Sequence, residues 1–234
     1  MEIKFIPKKK EYRPVLELTP PIPANQALPK WYKDLTRTIP LDTGLKGKTA
    51  KKCPAIQDTL STGFVIPLWS RLEYATTRND DGEIIAQNWN FGIAVATGEQ
   101  LETHLDFHYP SQVKGMDLKP TLNGDVLKMS LPYKIVVPEG YNIKYSDPFY
   151  HFRKDIRCLP GIVEADKWGY VAFPFEILSD NFVMEVGTPL IHCLVYKREE
   201  PLKLVMDQGT QKDYDEMYAD MFELFSSDKN YRTK

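Results

Sequence analysis

The clearest periodicity in the chain lies near its end. Tyr214, Met217, Tyr218, Met221, Phe222 and Phe225 recur at spacings of three and four, one apolar stripe of a helix. Asp213, Asp215, Glu216 and Asp220 load its first half with the negative charge that suits a helix N-terminus, so an amphipathic helix is predicted near 211–226. Elsewhere the period is two. Short strand-like runs fall at 63–68, 71–76, 83–87, 125–130, 133–137, 141–145, 161–164, 170–175, 182–186 and 190–196. Asp80-Asp81-Gly82 and Asn123-Gly124 read as hairpin turns between such runs. One short helix is predicted over 55–60, with Pro54 at its first position and Ser61-Thr62-Gly63 ending it. Many short strands with a single long helix favour a mainly β sandwich or barrel over an alternating parallel sheet.

The start of the chain has neither period. Prolines at 14, 20, 21, 23, 29 and 40 prevent any long element, apart from a short amphipathic piece around 31–35. The organisation read from this pattern is a Pro-rich N-terminal arm over 1–53, a β-rich core over 54–200, and a linker with the C-terminal amphipathic helix over 201–234. Lys8-Lys9-Lys10 reads as a solvated charge run.

Composition narrows the function. The 234 residues are 42% hydrophobic, ample for a core, and 30 basic against 32 acidic residues leave a net charge of −2. That balance provides no field for a nucleic-acid backbone or an anionic membrane. Cys53, Cys158 and Cys193 are odd in number and lack a paired spacing, so they read as free thiols in a reducing compartment. No apolar run approaches the roughly 20 residues a bilayer requires, and the first residues lack the apolar core of a signal peptide.

Three constellations carry possible chemistry. His104, Asp106 and His108 alternate, so a strand would place them on one face, and His192 would complete a facial triad for Fe(II). The plainer reading, a wet strand face with Leu105 and Phe107 inward, is preferred, and no metal or other cofactor is expected. Glu164 and Asp166 form a candidate acid/base pair, against the plainer reading of two acids in a turn. The apolar stripe of the last helix supplies candidate interface residues.

Residues 132–198 resemble the core of the trimeric dUTPase and dCTP deaminase-like β-clip family. The resemblance rests on Pro138-Glu139-Gly140-Tyr141, then Gly161-Ile162-Val163-Glu164-Ala165-Asp166-Lys167-Trp168-Gly169, then the stretch from Phe182 through Gly187 to Leu194. It implies a hairpin between Gly161 and Gly169 with both carboxylates at its tip. It also implies a ligand cleft near Tyr141, Lys167, Trp168 and His192, and a trimer. The departures remove the chemistry. Glu164 and Lys167 replace the water-activating aspartate and the stacking aromatic, Val65 replaces an upstream acid, and Ser146-Asp147-Pro148-Phe149 stands where phosphate donors belong. Loss of those donors would remove most transition-state stabilisation.

A second resemblance is carried by Cys53-Pro54-Ala55-Ile56, by His108-Tyr109-Pro110-Ser111-Gln112, and by Gly187-Thr188-Pro189-Leu190 followed by Lys197-Arg198-Glu199. These segments are similar to an uncharacterised family found mainly in tailed bacteriophages, cyanophages among them. The expectation is a non-enzymatic phage protein, an oligomeric structural or interaction module partnered by itself or by other phage proteins, in the infected host's cytoplasm or the virion. The alternatives are a nucleotide or small-ligand binding protein and a metal-dependent oxygenase. Were it an enzyme, it would be pyrophosphatase-like or Fe(II)-dependent.

Overall fold

The computed structural model describes residues 1–94, 100–101, 105–119, 121–122, 126–198 and 203–226, with backbone alone at 93–94, 100–101 and 222–226. The chain divides into two compact units, one of Met1–Asp34 with Thr59–Arg198, the other of Leu35–Asp58 with Glu199–Lys234. The proline-rich start is thus shared between them. Its first 34 residues belong to the larger unit, where Lys4–Pro7 pairs with Tyr133–Val136, Ile22–Pro23 pairs with Phe64–Pro67, and Tyr12, Val15, Ala24 and Ala27 are buried.

The larger unit is mainly β and antiparallel. One sheet has the order Leu105–His108, Val126–Ser130, Ala172–Ile177, Ile156–Cys158. A second runs Gly161–Val163, Tyr141–Ser146, Pro189–Lys197, Phe64–Pro67, Ile22–Pro23. A third joins Asn181–Met184, Leu72–Arg78 and Ile84–Phe91. None of these sheets closes into a barrel among the described residues.

The alternation explains the core. In Val126–Ser130, Leu127 and Met129 are fully buried and lie opposite Phe175 and Phe173 of the neighbouring strand. Each such side chain stabilises the fold by roughly 1.5–3 kcal/mol. Ile143, Cys193, Phe64 and Ile191 of the second sheet enter the same apolar cluster, and Tyr145 meets Phe173 edge-on at 4.8 Å. The opposite face of the second sheet carries its own small cluster, in which Ala24 and Ala27 cover Val65.

Most periodic expectations have their counterparts. The helix Pro54–Ser61 starts on its proline, and Asp80-Asp81-Gly82 turns the chain between Leu72–Arg78 and Ile84–Phe91, with Gly82 at φ +81°. Gly187, at φ +83°, turns into the last core strand, its N–H bonded to Leu68 O. The Asn123-Gly124 turn lies outside the described residues.

The expected hairpin between Gly161 and Gly169 is not formed. Gly161–Val163 pairs with Tyr141–Ser146, whereas Ala172–Ile177 belongs to the other sheet, so the segment between them crosses from sheet to sheet. Its glycines serve close approach instead. A Cβ on Gly161 would sit 2.3 Å from the Tyr145 hydroxyl, and one on Gly169 would sit 2.7 Å from Ile135 O.

In the smaller unit, Thr38–Pro40 pairs with Lys46–Lys48, and the last helix spans Gln211–Ser226. That helix begins on a reciprocal cap. Thr210 N–H donates to Asp213 Oδ2 at 2.6 Å, while Asp213 N–H donates to Thr210 Oγ1 at 3.3 Å. No described helix is long and apolar enough to cross a membrane.

Candidate functional site

The acidic turn is built as a fastening. Lys167 N–H and Trp168 N–H both donate to Glu164 O at 2.9 Å, closing it. Asp166 Oδ2 accepts Gly140 N–H at 2.8 Å and pairs with Arg198 Nη2, while Glu164 Oε2 lies 2.8 Å from Arg198 Nη1 and 2.5 Å from Lys167 Nζ. Arg198 N–H also donates to Gly140 O at 2.7 Å. The Gly140 amide and then Arg198 hold Asp166 below the usual carboxylate range, and Lys167 and then Arg198 do the same for Glu164. Both are therefore anions paired through one oxygen each, Asp166 Oδ1 being buried without a hydrogen-bond partner, and neither has a proton to donate near neutrality. Their work is to tie the Pro138–Tyr141 turn to the end of the last core strand.

The other expected ligand residues are not gathered there. Tyr141 packs against the core opposite Lys197, Lys167 is bound to Glu164, and Trp168 is 70% exposed. His192 lies opposite Ser146, five register positions from Tyr141, or roughly 17 Å at about 3.4 Å per residue. It is buried, its Nε2 is 2.7 Å from Thr62 O, and its ring is 4.5 Å from that of Phe149.

The strand that carries the candidate metal ligands is engaged as well. Asp106 Oδ2 pairs with Lys128 Nζ at 2.7 Å, and its Oδ1 accepts Phe107 N–H at 2.8 Å; Lys128 and then this amide hold its carboxyl down. His108 lies opposite Val126 in the first sheet, away from the sheet that carries His192. His104 lies outside the described residues, among which no group of three His, Cys, Asp or Glu side chains could hold a metal. All three cysteines are free, and burial pushes the Cys158 and Cys193 thiols well up, away from nucleophilic thiolate.

In the last helix, Tyr214, Met217, Tyr218 and Met221 are 45%, 48%, 66% and 45% exposed. The side chains of Phe222 and Phe225 lie outside the description.

One arrangement has no counterpart among the sequence expectations. Between Ser146 and Ile156 the chain makes a loop in which Tyr150 and Phe152 adopt φ +60° and +50°, the non-glycine positive values of the described chain. Left-handed backbone costs an ordinary L-residue roughly 1–2 kcal/mol. Neighbours enforce it. Trp31 Nε1–H donates to Tyr150 O at 2.7 Å, and the Trp31 ring lies 6.3 Å from the rings of Tyr150 and Phe152. His151 Nε2 is 2.9 Å from Ala27 O. The buried Arg153 side chain reaches Asp155 Oδ1 at 3.0 Å and Pro189 O at 2.9 Å. The loop borders an open groove of about 630 Å³ whose walls include Asp147, Phe149, Tyr150, Phe152, Lys154 and Arg157. The run Pro148-Phe149-Tyr150-His151-Phe152 is the only local hint, four rings in succession without strand alternation.

His151 and His192 give this region a pH dependence. Each Nε2 faces a carbonyl, which only accepts, so each carries its proton there in the neutral ring. Burial lowers both pKa values from the usual 6.5. Below that value the unfolded chain takes up protons that the folded one refuses. Their contribution is therefore complete above pH 6.5 and lost as pH falls towards the folded values. Asp147, raised by burial, acts with the opposite sign. The thermal midpoint should therefore drop less between pH 7 and 5 in the His151→Gln/His192→Gln double variant than in the parent. Equal drops would show that these rings do not carry the effect.

In comparison with known proteins, no family model and no curated sequence matches the chain.

Proposed function

We propose that the protein is a non-enzymatic interaction module of a tailed bacteriophage, a dUTPase-like β scaffold that self-associates or joins other phage proteins through its C-terminal helix. One observation carries this reading. The helix Gln211–Ser226 holds two tyrosines and two methionines on one stripe, each 45% exposed or more. Burying each on a partner would gain a fraction of the roughly 1.5–3 kcal/mol of full burial, which favours association. The engagement of Glu164 and Asp166 by Arg198 and Gly140 supports a scaffold role over acid/base catalysis. Closed symmetry is the default for such assembly, and the family resemblance makes a trimer the first expectation.

Light scattering on the full-length chain at tens of micromolar tests this. The expected mass is a small integral multiple of one chain. Met217→Glu/Met221→Glu should reduce it while leaving the thermal midpoint of the β unit in place. A full-length monomer at that concentration, or an oligomer indifferent to both substitutions, would overturn the role given to the helix.

A further inference from the structure

We propose that the groove beside Tyr150–Phe152 is a binding site for a planar aromatic ligand carrying an anionic group. The argument begins with strain. Tyr150 recovers the cost of its left-handed backbone, since its carbonyl is bonded by Trp31 and its ring packs against that indole. Phe152 recovers less, because the residue remains 71% exposed despite ring contacts with Trp31 and Tyr150 at 6.3 and 6.1 Å. Backbone strain maintained by surrounding contacts is characteristic of ligand clamps and active sites. Here it holds a large apolar ring in water, at a fixed angle of 40° to the Trp31 ring, on the wall of a groove. The face it offers is suited to stacking against another flat π-system.

The charges on the same walls select the ligand's other end. Arg153 is engaged by Asp155 and by Pro189 O, Arg157 is held by Glu176 with Nε at 3.1 Å from Oε2, and Asp147 Oδ1 accepts Cys158 N–H at 3.0 Å. Lys154 lines the groove, adjoins Phe152 by two positions, and is exposed, with no ion pair or hydrogen bond among the described residues. An aromatic face and one uncommitted ammonium complement a flat ring bearing a negative group. Asp147 on the opposite count disfavours a large diffuse anion, so a compact charge near Lys154 fits best.

Calorimetry on the full-length protein tests this with two probes of that chemistry, indole-3-acetate and adenosine 5′-monophosphate, which separate an aromatic carboxylate from a nucleoside phosphate. Tryptamine is the cationic counterpart of the first. At least one anionic probe should bind with Kd below about 1 mM, tryptamine should bind more weakly than indole-3-acetate, and Phe152→Gly and Lys154→Ala should each weaken the binding about tenfold or more. Phe152→Gly should also keep or raise the thermal midpoint, since glycine adopts positive φ freely and the lost ring is mostly exposed. Binding lost only through unfolding would be revealed by that midpoint. The proposal fails if neither anionic probe binds, if tryptamine binds as well as indole-3-acetate, if either substitution leaves the affinity unchanged, or if Phe152→Gly lowers the midpoint.

Discussion

Gly63→Ala should be the most damaging single-methyl change in the larger unit. Gly63 sits at φ +82°, and a Cβ there would lie 2.1 Å from the carbonyl oxygen of Cys193 and 2.9 Å from Leu194 Cδ2. Cys193 lies opposite Phe64 in the paired strands, and Gly63 O accepts Ala24 N–H at 3.1 Å. The overlap is with backbone, so it can be relieved only by parting two central strands. Left-handed backbone adds about 1–2 kcal/mol and overpacking about 1–3 kcal/mol, a total near 2–5 kcal/mol. Against a domain stability of about 5–15 kcal/mol, that is a large loss. Gly82→Ala is the control, because Gly82 has φ +81° with nothing within 4 Å of its Cβ position. Urea denaturation should show Gly63→Ala far below Gly82→Ala. Similar midpoints would mean that the close approach to Cys193 is not a constraint.

Arg153→Met should follow in size. The Arg153 side chain is 7% exposed and ties the strained loop to Asp155 and to the start of the last core strand at Pro189. Removing it leaves Asp155, 27% exposed, without its cation and a carbonyl without its donor. Breaking a buried pair from one side costs about 3–5 kcal/mol, and partial exposure of Asp155 puts the expected loss near the lower end, about 3 kcal/mol. Adding Asp155→Asn should recover part of it, since the uncompensated charge is then gone. By contrast, breaking the exposed Lys30–Asp34 pair should cost less than about 1 kcal/mol. A double variant no more stable than Arg153→Met alone would place the cost in packing rather than in the ion pair.

These two residues mark the boundary between what local pattern carries and what only the assembled fold decides. Periodicity is local, so the sequence by itself determined the helix Gln211–Ser226, the proline start of Pro54–Ser61, and the strands Tyr141–Ser146 and Pro189–Lys197 to within a residue or two. A strand as short as Ile156–Cys158 has too few positions to show a period, and it forms because Ala172–Ile177 offers it partners. Gly161 and Gly169 look like hairpin brackets in sequence, yet their purpose is contact with Tyr145, Lys134 and Ile135, which lie in other strands. The candidate site followed the same rule. Glu164, Asp166 and His192 were legible as polar groups at suggestive spacings, but their partners, Arg198, Gly140 and Thr62, lie 26 to 130 residues away along the chain. The strained loop was the least legible of all. Neither Tyr150 nor Phe152 is a residue type that signals positive φ, and the conformation is imposed by Trp31, Ala27 and the anchored Arg153, contacts that exist only after the sheets have closed around them.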